Sequence, residues 1–129
     1  MKFRYTILYV ENVAKTMSFY EAAFGLTRGF LHEAGDFGEM QTGETKLSFA
    51  SKALIEQTGQ GVGMADPSKA IFEIAFETDD VAGKFDHAVK SGAKSVKEPS
   101  EMPWGQTVSY VSDPDGNLVE ICSPVANAG

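Results

Sequence analysis

The sequence predicts an α+β protein built from two consecutive strand–helix–strand–strand–strand units. Two segments carry apolar residues at helical spacing, residues 13–24 and 81–91, and each follows a β-rich apolar segment. After each helix come three shorter β-rich segments separated by turn residues. The first helical stripe begins at Val13 and the second at Val81, an offset of 81 − 13 = 68 residues, which indicates an internal duplication.

The first unit begins with an apolar, β-rich strand at residues 3–10. Asn12 is a good N-cap for the helix at 13–24, because its side chain can accept from a free backbone N–H of the first turn. Gly25 is the expected C-cap, since glycine adopts the left-handed conformation that often ends a helix. Turn residues then separate strands that we predict at 26–33, 37–42 and 46–51.

A connector joins the units, at residues 52–69, which hold several glycines, one proline and few apolar residues. We expect one short helix in it, at 53–57. The second unit then has a strand at 70–78 and a helix at 81–91 capped by Asp79 or Asp80. A Pro-containing loop is predicted at 98–105, and the last strands are predicted at 95–97, 106–112 and 117–123. The modules therefore cover about 1–51 and 70–123 of one domain, residues 1–129.

Alternation along the strands predicts which side chains face the helices. In the last strand of each unit, Ser48 and Glu120 point away from the helix, whereas their neighbours point toward it. The residues expected to pack under the helices are Thr6, Leu8, Val10, Leu47, Phe49, Phe72, Ile74, Phe76, Val119 and Ile121. Those left on the opposite face of the two first strands are Tyr5, Ile7, Tyr9, Glu73, Ala75 and Glu77.

A tight turn precedes the last strand, at residues 113–116, with the sequence Asp-Pro-Asp-Gly. Proline presets φ, aspartate side chains bond their own backbone, and Gly116 can take a positive φ. The strand that follows carries Glu120 between apolar neighbours. Because burial of an unpaired carboxylate costs several kcal/mol, we expect either a wet face or a partner for Glu120.

Bulk composition excludes several classes of partner. The net charge is 11 − 18 = −7, which argues against nucleic acid and anionic membranes and is compatible with a cationic small molecule or a divalent metal. No apolar run approaches membrane-spanning length, and the first residues lack an apolar signal core. The single cysteine, Cys122, permits no intrachain disulfide and fits the cytoplasm.

Three groups of residues carry a family resemblance: Phe24-Gly25-Leu26 with the helix before it, residues 72–76, and Pro103-Trp104-Gly105-Gln106 leading into residues 113–121. On them the chain resembles the vicinal oxygen chelate superfamily, which includes glyoxalase I, bleomycin-resistance proteins and extradiol dioxygenases. The resemblance implies two βαβββ modules that form a curved mixed sheet around a cavity. It also implies a homodimer, since many members use both chains to build their cavities.

The resemblance also implies where a metal would bind. In the metal-dependent members, ligands come from one inward position on each of four strands, and the matching residues here are Tyr5, Ser48, Glu73 and Glu120. Glu120 is the usual ligand type, and Glu73 is a carboxylate in place of histidine or glutamine. Both are candidate metal ligands and candidate catalytic groups, for Mg²⁺, Mn²⁺, Zn²⁺ or Ni²⁺. Neither His32 nor His87 falls on a ligand position, which departs from the usual imidazole set.

Candidate ligand-binding residues are mainly aromatic and polar side chains of the inward face, together with a loop tryptophan and an arginine. Aromatic faces stack on flat or cationic ligands, although ordinary sheet packing is the alternative for the strand tyrosines. Arginine could clamp a carboxylate or phosphate, or serve as a plain surface residue. These candidates are Tyr5, Tyr9, Ser48, Trp104, Tyr110 and Arg28.

Three functions remain open at this point. The first is a bleomycin-resistance-like protein that binds a small organic molecule in the sheet cavity without the usual His-based metal site. The second is a divalent-metal-dependent lyase or isomerase of the glyoxalase type, in which Glu73 and Glu120 act on a small carbonyl substrate. The third is a structural or regulatory domain without small-molecule chemistry.

Overall fold

The computed structural model describes residues 1–125, in which the chain divides into two compact units, residues 1–63 and residues 64 onward. Each unit has one open, curved, four-stranded mixed sheet and one long helix, in the predicted strand–helix–strand–strand–strand order. The α+β class and the two tandem modules are therefore confirmed. None of the helices in the described residues has the length and hydropathy needed to cross a bilayer.

The first unit contains the sheet in the order β1-β4-β3-β2, with β1 parallel to β4 and the other pairs antiparallel. Asn12 Oδ1 accepts from Lys15 N at 3.0 Å, and Gly25 has φ 70°, so the helix begins and ends where the sequence predicts. The elements are β1 Tyr5–Val10, α1 Val13–Phe24, β2 Thr27–Leu31, β3 Phe37–Gln41, β4 Lys46–Ser51 and a short α2 Lys52–Gln57.

The second unit repeats this arrangement with the order β5-β8-β7-β6, and β5 is parallel to β8. Asp80 Oδ1 caps the helix by accepting from Gly83 N at 3.0 Å. A turn of 3₁₀ helix at Pro67–Lys69 comes first. The remaining elements are β5 Ile74–Glu77, α3 Val81–Lys90, β6 Lys94–Glu101, β7 Thr107–Ser112 and β8 Leu118–Cys122.

The core of each unit lies between its helix and the facing side of its sheet. In the first unit, Tyr20 of α1 and Phe49 of β4 are both completely buried, with ring centroids 5.0 Å apart. In the second unit, Phe85 of α3 is buried, as are Val119 and Ile121 of β8. These positions have the alternation that the sequence predicts, so the opposite face of each sheet is free to carry the candidate site.

The turn between β7 and β8 is held by a buried carboxylate. Asp113 is 2% exposed, and its Oδ1 accepts from Asp115 N and from Asn117 N, each at 2.9 Å, while its Oδ2 accepts from Asn117 Nδ2 at 3.0 Å. Gly116 has φ 87°, and a Cβ there would lie 2.7 Å from the Ala65 carbonyl oxygen. The turn therefore fixes the start of β8. It also lies against Ala65, near the beginning of the second unit.

Two strands of the second unit differ from the prediction. β5 begins at Ile74 rather than at residue 70, because its only neighbour in the sheet is β8, which itself begins at Leu118. Phe72 consequently precedes the strand and is 50% exposed instead of packing under the helix. β6 extends to Glu101 through the predicted loop, with register shifts on both sides of Lys97. An irregular edge strand tolerates Pro99, which would interrupt a central one.

Candidate functional site

The face of the second sheet that points away from α3 carries Tyr110 and both carboxylates that were predicted to be catalytic. In the register of this sheet, Ala75 of β5 lies beside Glu120 of β8, and Glu120 lies beside Tyr110 of β7. Glu73 lies two residues before Ala75, just ahead of the strand. We call Glu73, Tyr110 and Glu120 the acidic cluster.

Hydrogen bonds connect the members of the acidic cluster. The Tyr110 hydroxyl donates to Glu120 Oε2 at 3.3 Å. The Glu73 side chain is close enough to both Tyr110 and Glu120 to interact with them electrostatically. The three side chains therefore form one interacting group.

The electrostatics of the cluster agree with its geometry. Partial burial, followed by the negative charge of Glu120, raises the pKa of Glu73 above its ordinary value of 4.5, and only the hydrogen bond from Tyr110 opposes this. Burial and the same two carboxylates raise the pKa of Tyr110 to about 12. Tyr110 consequently remains a neutral hydrogen-bond donor at any physiological pH.

Cys122 shares this face with Glu120, two residues further along β8, and is 7% exposed. Burial and the charge of Glu120 raise the pKa of its thiol, and its Sγ lies 3.7 Å from the Phe76 carbonyl oxygen. Since the thiolate is the nucleophilic form, the surroundings of Cys122 suit a small buried residue and do not activate it as a nucleophile.

The corresponding face of the first sheet is apolar and aromatic. Tyr5, Ile7 and Tyr9 of β1 are between 40% and 49% exposed on it. Ser48 of β4 lies in register between Ile7 and Glu39, at the position equivalent to Glu120 in the second unit. The Ser48 hydroxyl is completely buried and has no hydrogen-bond partner within residues 1–125. This unit therefore lacks a counterpart of the acidic cluster.

Trp104 lies in the loop between β6 and β7 and is 62% exposed. Its Nε1 donates to Gln106 Oε1 at 2.9 Å, and Gln106 Nε2 donates to the Ser123 carbonyl oxygen at 2.9 Å. The sequence analysis proposed Trp104 as a ligand contact but gave Gln106 no role of its own. Its position could have suggested one, because a polar side chain two residues after a loop tryptophan can accept from the indole N–H.

Arg28 is not brought together with the other candidates. It lies in register with Met40, which is completely buried beneath α1, so Arg28 is on the helix side of the first sheet. There its guanidinium donates to Glu21 Oε1 at 2.8 Å and approaches Ser18 Oγ at 3.4 Å. The structure thus gives Arg28 a local partner on α1.

The donor set does not fit the metal that the resemblance implies. Nowhere in residues 1–125 do three or more His, Cys, Asp or Glu side chains form a group that could hold a metal ion. The acidic cluster supplies two carboxyl groups and a neutral phenol, whereas hard divalent cations take about six oxygen ligands and zinc sites normally use three or four protein ligands.

The βαβββ repeat with two open, curved four-stranded sheets is consistent with the glyoxalase fold. The chain belongs to the Glyoxalase/Bleomycin resistance protein/Dioxygenase superfamily, whose family model matches residues 2–121. The family resemblance predicted from the sequence is therefore confirmed.

Individual relatives are distant but cover nearly the whole chain. YraH of Bacillus subtilis is 27% identical over 124 residues, covering 94% of this chain and 97% of YraH. Lactoylglutathione lyase of Neisseria meningitidis is 29% identical over 128 residues, covering 93% and 88%. A glyoxalase-related enzyme from Fulvimarina pelagi has a similar structure, with a TM-score of 0.83 at 21% identity, covering 96% of this chain and 88% of that one. The last likeness concerns the fold alone.

Proposed function

We propose that the chain binds a small organic molecule with a cationic or hydrogen-bond-donating group, and that it does so without the family's His-based metal site. The observation that carries this proposal is the acidic cluster, in which two carboxyl groups and a neutral phenol converge, while no group of three or more His, Cys, Asp or Glu side chains in residues 1–125 could hold a metal ion. The net charge of −7 attracts such a ligand.

The cluster is suited to an organic cation because its two carboxyl groups lie close together. The negative charge of Glu120 raises the pKa of Glu73, so a positive group between the two side chains would relieve their repulsion. An ammonium group there would donate charge-assisted hydrogen bonds to both carboxylates. Tyr110 donates to Glu120 and keeps its carboxyl group in place.

The test is binding of aromatic amines to metal-stripped protein, measured by thermal shift and by equilibrium dialysis. We expect Glu73→Gln and Glu120→Gln to weaken binding about tenfold each, which is the lower range for losing one partner of a charged hydrogen bond. Glu77→Gln is the matched control, since Glu77 lies on β5, four residues after Glu73, and its replacement removes the same charge outside the cluster. Binding that appears only after a divalent metal is restored would refute the proposal.

A second candidate is a divalent-metal-dependent lyase or isomerase of the glyoxalase type. It is favoured by the similarity to lactoylglutathione lyase over nearly the whole chain. Glu73 and Glu120 would be its acid and base, or part of a metal site completed by ligands from outside the acidic cluster. Metal analysis of the purified protein, with turnover of a thiol adduct of a 2-oxoaldehyde, tests it. Stoichiometric Mg²⁺, Mn²⁺, Zn²⁺ or Ni²⁺ and turnover abolished by Glu120→Gln would favour it over metal-free binding.

Two further properties belong to this proposal. The resemblance to the family supports a homodimer, and the single, buried cysteine supports a reducing cytoplasm. Sedimentation of the purified chain tests the first, and fractionation of the producing cell tests the second. If the chain is strictly monomeric at protein concentrations at which all of the ligand is bound, then binding does not require a dimer.

A further inference from the structure

We propose that Gln106 is a positioning residue, which fixes the indole of Trp104 as a stacking platform for a planar aromatic ligand. This inference rests on the proposed function, because it assigns the ligand class and a second contact to the same binding activity. Trp104 is the only tryptophan in the sequence and is mostly exposed. Its single polar atom, Nε1, is nevertheless hydrogen-bonded to the side chain of Gln106.

A chain of hydrogen bonds connects the indole to the end of β8. Trp104 Nε1 donates to Gln106 Oε1 at 2.9 Å, and Gln106 Nε2 donates to the Ser123 carbonyl oxygen, also at 2.9 Å. Ser123 is itself fixed, because its Oγ accepts from Thr107 N at 2.8 Å and its N–H donates to the Thr107 carbonyl oxygen at 2.9 Å. The side-chain amide of Gln106 thus uses both of its ends to hold an exposed ring.

The backbone of the loop is equally well defined. Met102 N donates to the Gln106 carbonyl oxygen at 2.7 Å, and Gly105 N donates to the Met102 carbonyl oxygen at 2.9 Å. Gly105 has φ 91°, a conformation that glycine adopts without strain. The loop is therefore closed at its base, and the remaining freedom of Trp104 is the rotation of its side chain, which Gln106 restricts.

Fixing an exposed aromatic ring contributes little to folding, since most of the ring stays in water. It does lower the cost of binding, because a ring already held in one orientation loses less side-chain entropy when a ligand stacks on it. The anchor Ser123 directly follows β8 and is three residues beyond Glu120, about 10 Å along the backbone at the usual rise per residue. On this proposal, a fused-ring amine stacks on Trp104 while its cationic group binds the acidic cluster.

The first arm of the experiment needs no ligand. Trp104 is the only tryptophan, so the red-edge-excited fluorescence anisotropy decay reports on this ring alone. We expect the wild-type indole to rotate with the protein, and Gln106→Met to add a large fast component. Gln60→Met is the matched control, because it makes the same chemical change in the exposed connector. A Gln106→Met decay identical to that of wild type would overturn the positioning role.

The second arm uses proflavine, a planar aromatic cation, and measures its affinity in a double-mutant cycle of Gln106→Met and Trp104→Leu. We expect Gln106→Met to weaken proflavine about fivefold, the size of a modest cation–π contact. In the Trp104→Leu background the same change should have no effect. Equal weakening in both backgrounds would show that Gln106 merely supports the strand ends and would overturn the proposal.

The two arms also separate this inference from the proposed function. If wild type binds simple amines through Glu73 and Glu120 but does not bind proflavine, the stacking platform is wrong while the proposed function stands. If no amine binds, the proposed function fails, and the ligand class inferred here fails with it. The anisotropy comparison reports on Gln106 in either case.

Discussion

Ser48 and Ser109 form a natural pair for measuring what an unpartnered hydroxyl costs. Both are 0% exposed and both lie on inner strands of their sheets. Ser109 Oγ donates to the Ile121 carbonyl oxygen at 2.8 Å, whereas Ser48 Oγ has no partner within residues 1–125. Replacing each serine with alanine therefore removes the same atom from two buried sites that differ in hydrogen bonding.

The expected changes have opposite signs. A buried polar group without a partner costs about 1–3 kcal/mol, so Ser48→Ala should recover part of this and raise the free energy of unfolding by about 1 kcal/mol. Ser109→Ala loses a hydrogen bond with a net value of about 0.5–1.5 kcal/mol and should lower it by about 1 kcal/mol. The two variants should then differ by about 2 kcal/mol.

Urea unfolding followed by circular dichroism measures this difference. With a slope of about 2 kcal/mol per molar urea, typical of a small protein, the two midpoints should lie about 1 M apart, with unchanged slopes. If Ser48→Ala is destabilised as much as Ser109→Ala, the reasoning is refuted. That result would mean that the Ser48 hydroxyl is satisfied in solution, for example by Glu39, its register neighbour on β3.

Three more predictions follow from the second unit. The pKa of Glu73 is raised in the folded state, so folding favours the protonated carboxyl group. The stability that this proton contributes is lost as the pH rises from 4.5, the unfolded pKa, through the higher pKa of the folded state. Glu73→Gln should therefore match wild type near pH 4 and be the more stable protein near pH 8, as measured by urea unfolding at both pH values. Difference absorbance should show Tyr110 ionising only at about pH 12, and Tyr110→Phe should remove this contribution from the titration. Gly116→Ala should cost about 2 kcal/mol or more in thermal unfolding, because it adds a backbone clash to a positive φ. Gly105→Ala, with a similar φ and open space around it, should cost less, and equal costs would contradict the clash.

The duplication and the alternation of the strands could be predicted from the sequence because they depend on local physics. Period-two patterning assigned Glu120 and Ser48 to the open faces, and the caps Asn12 and Gly25 set the limits of the first helix. The Asp-Pro-Asp-Gly turn was recognisable because each residue type has its own conformational preference. These features require no knowledge of which strands become neighbours.

What could not be predicted depends on tertiary register. The contact of Tyr110 with Glu120 follows from the pairing of β7 with β8, and the sequence of either strand alone does not contain it. The length of β6 was underestimated because Pro99 normally argues against a strand, and only the edge position makes it acceptable. The lack of a partner for Ser48 likewise appears only once its strand neighbours, Ile7 and Glu39, are known.

The environment of Cys122 has a practical consequence for chemical labelling. Burial and the neighbouring carboxylate keep its thiol protonated, so alkylating reagents that require a thiolate will react with it slowly. A cysteine introduced at an exposed position, such as Gln60→Cys, will be modified much faster. Dyes and spin labels can therefore be attached at chosen positions without first replacing the native cysteine.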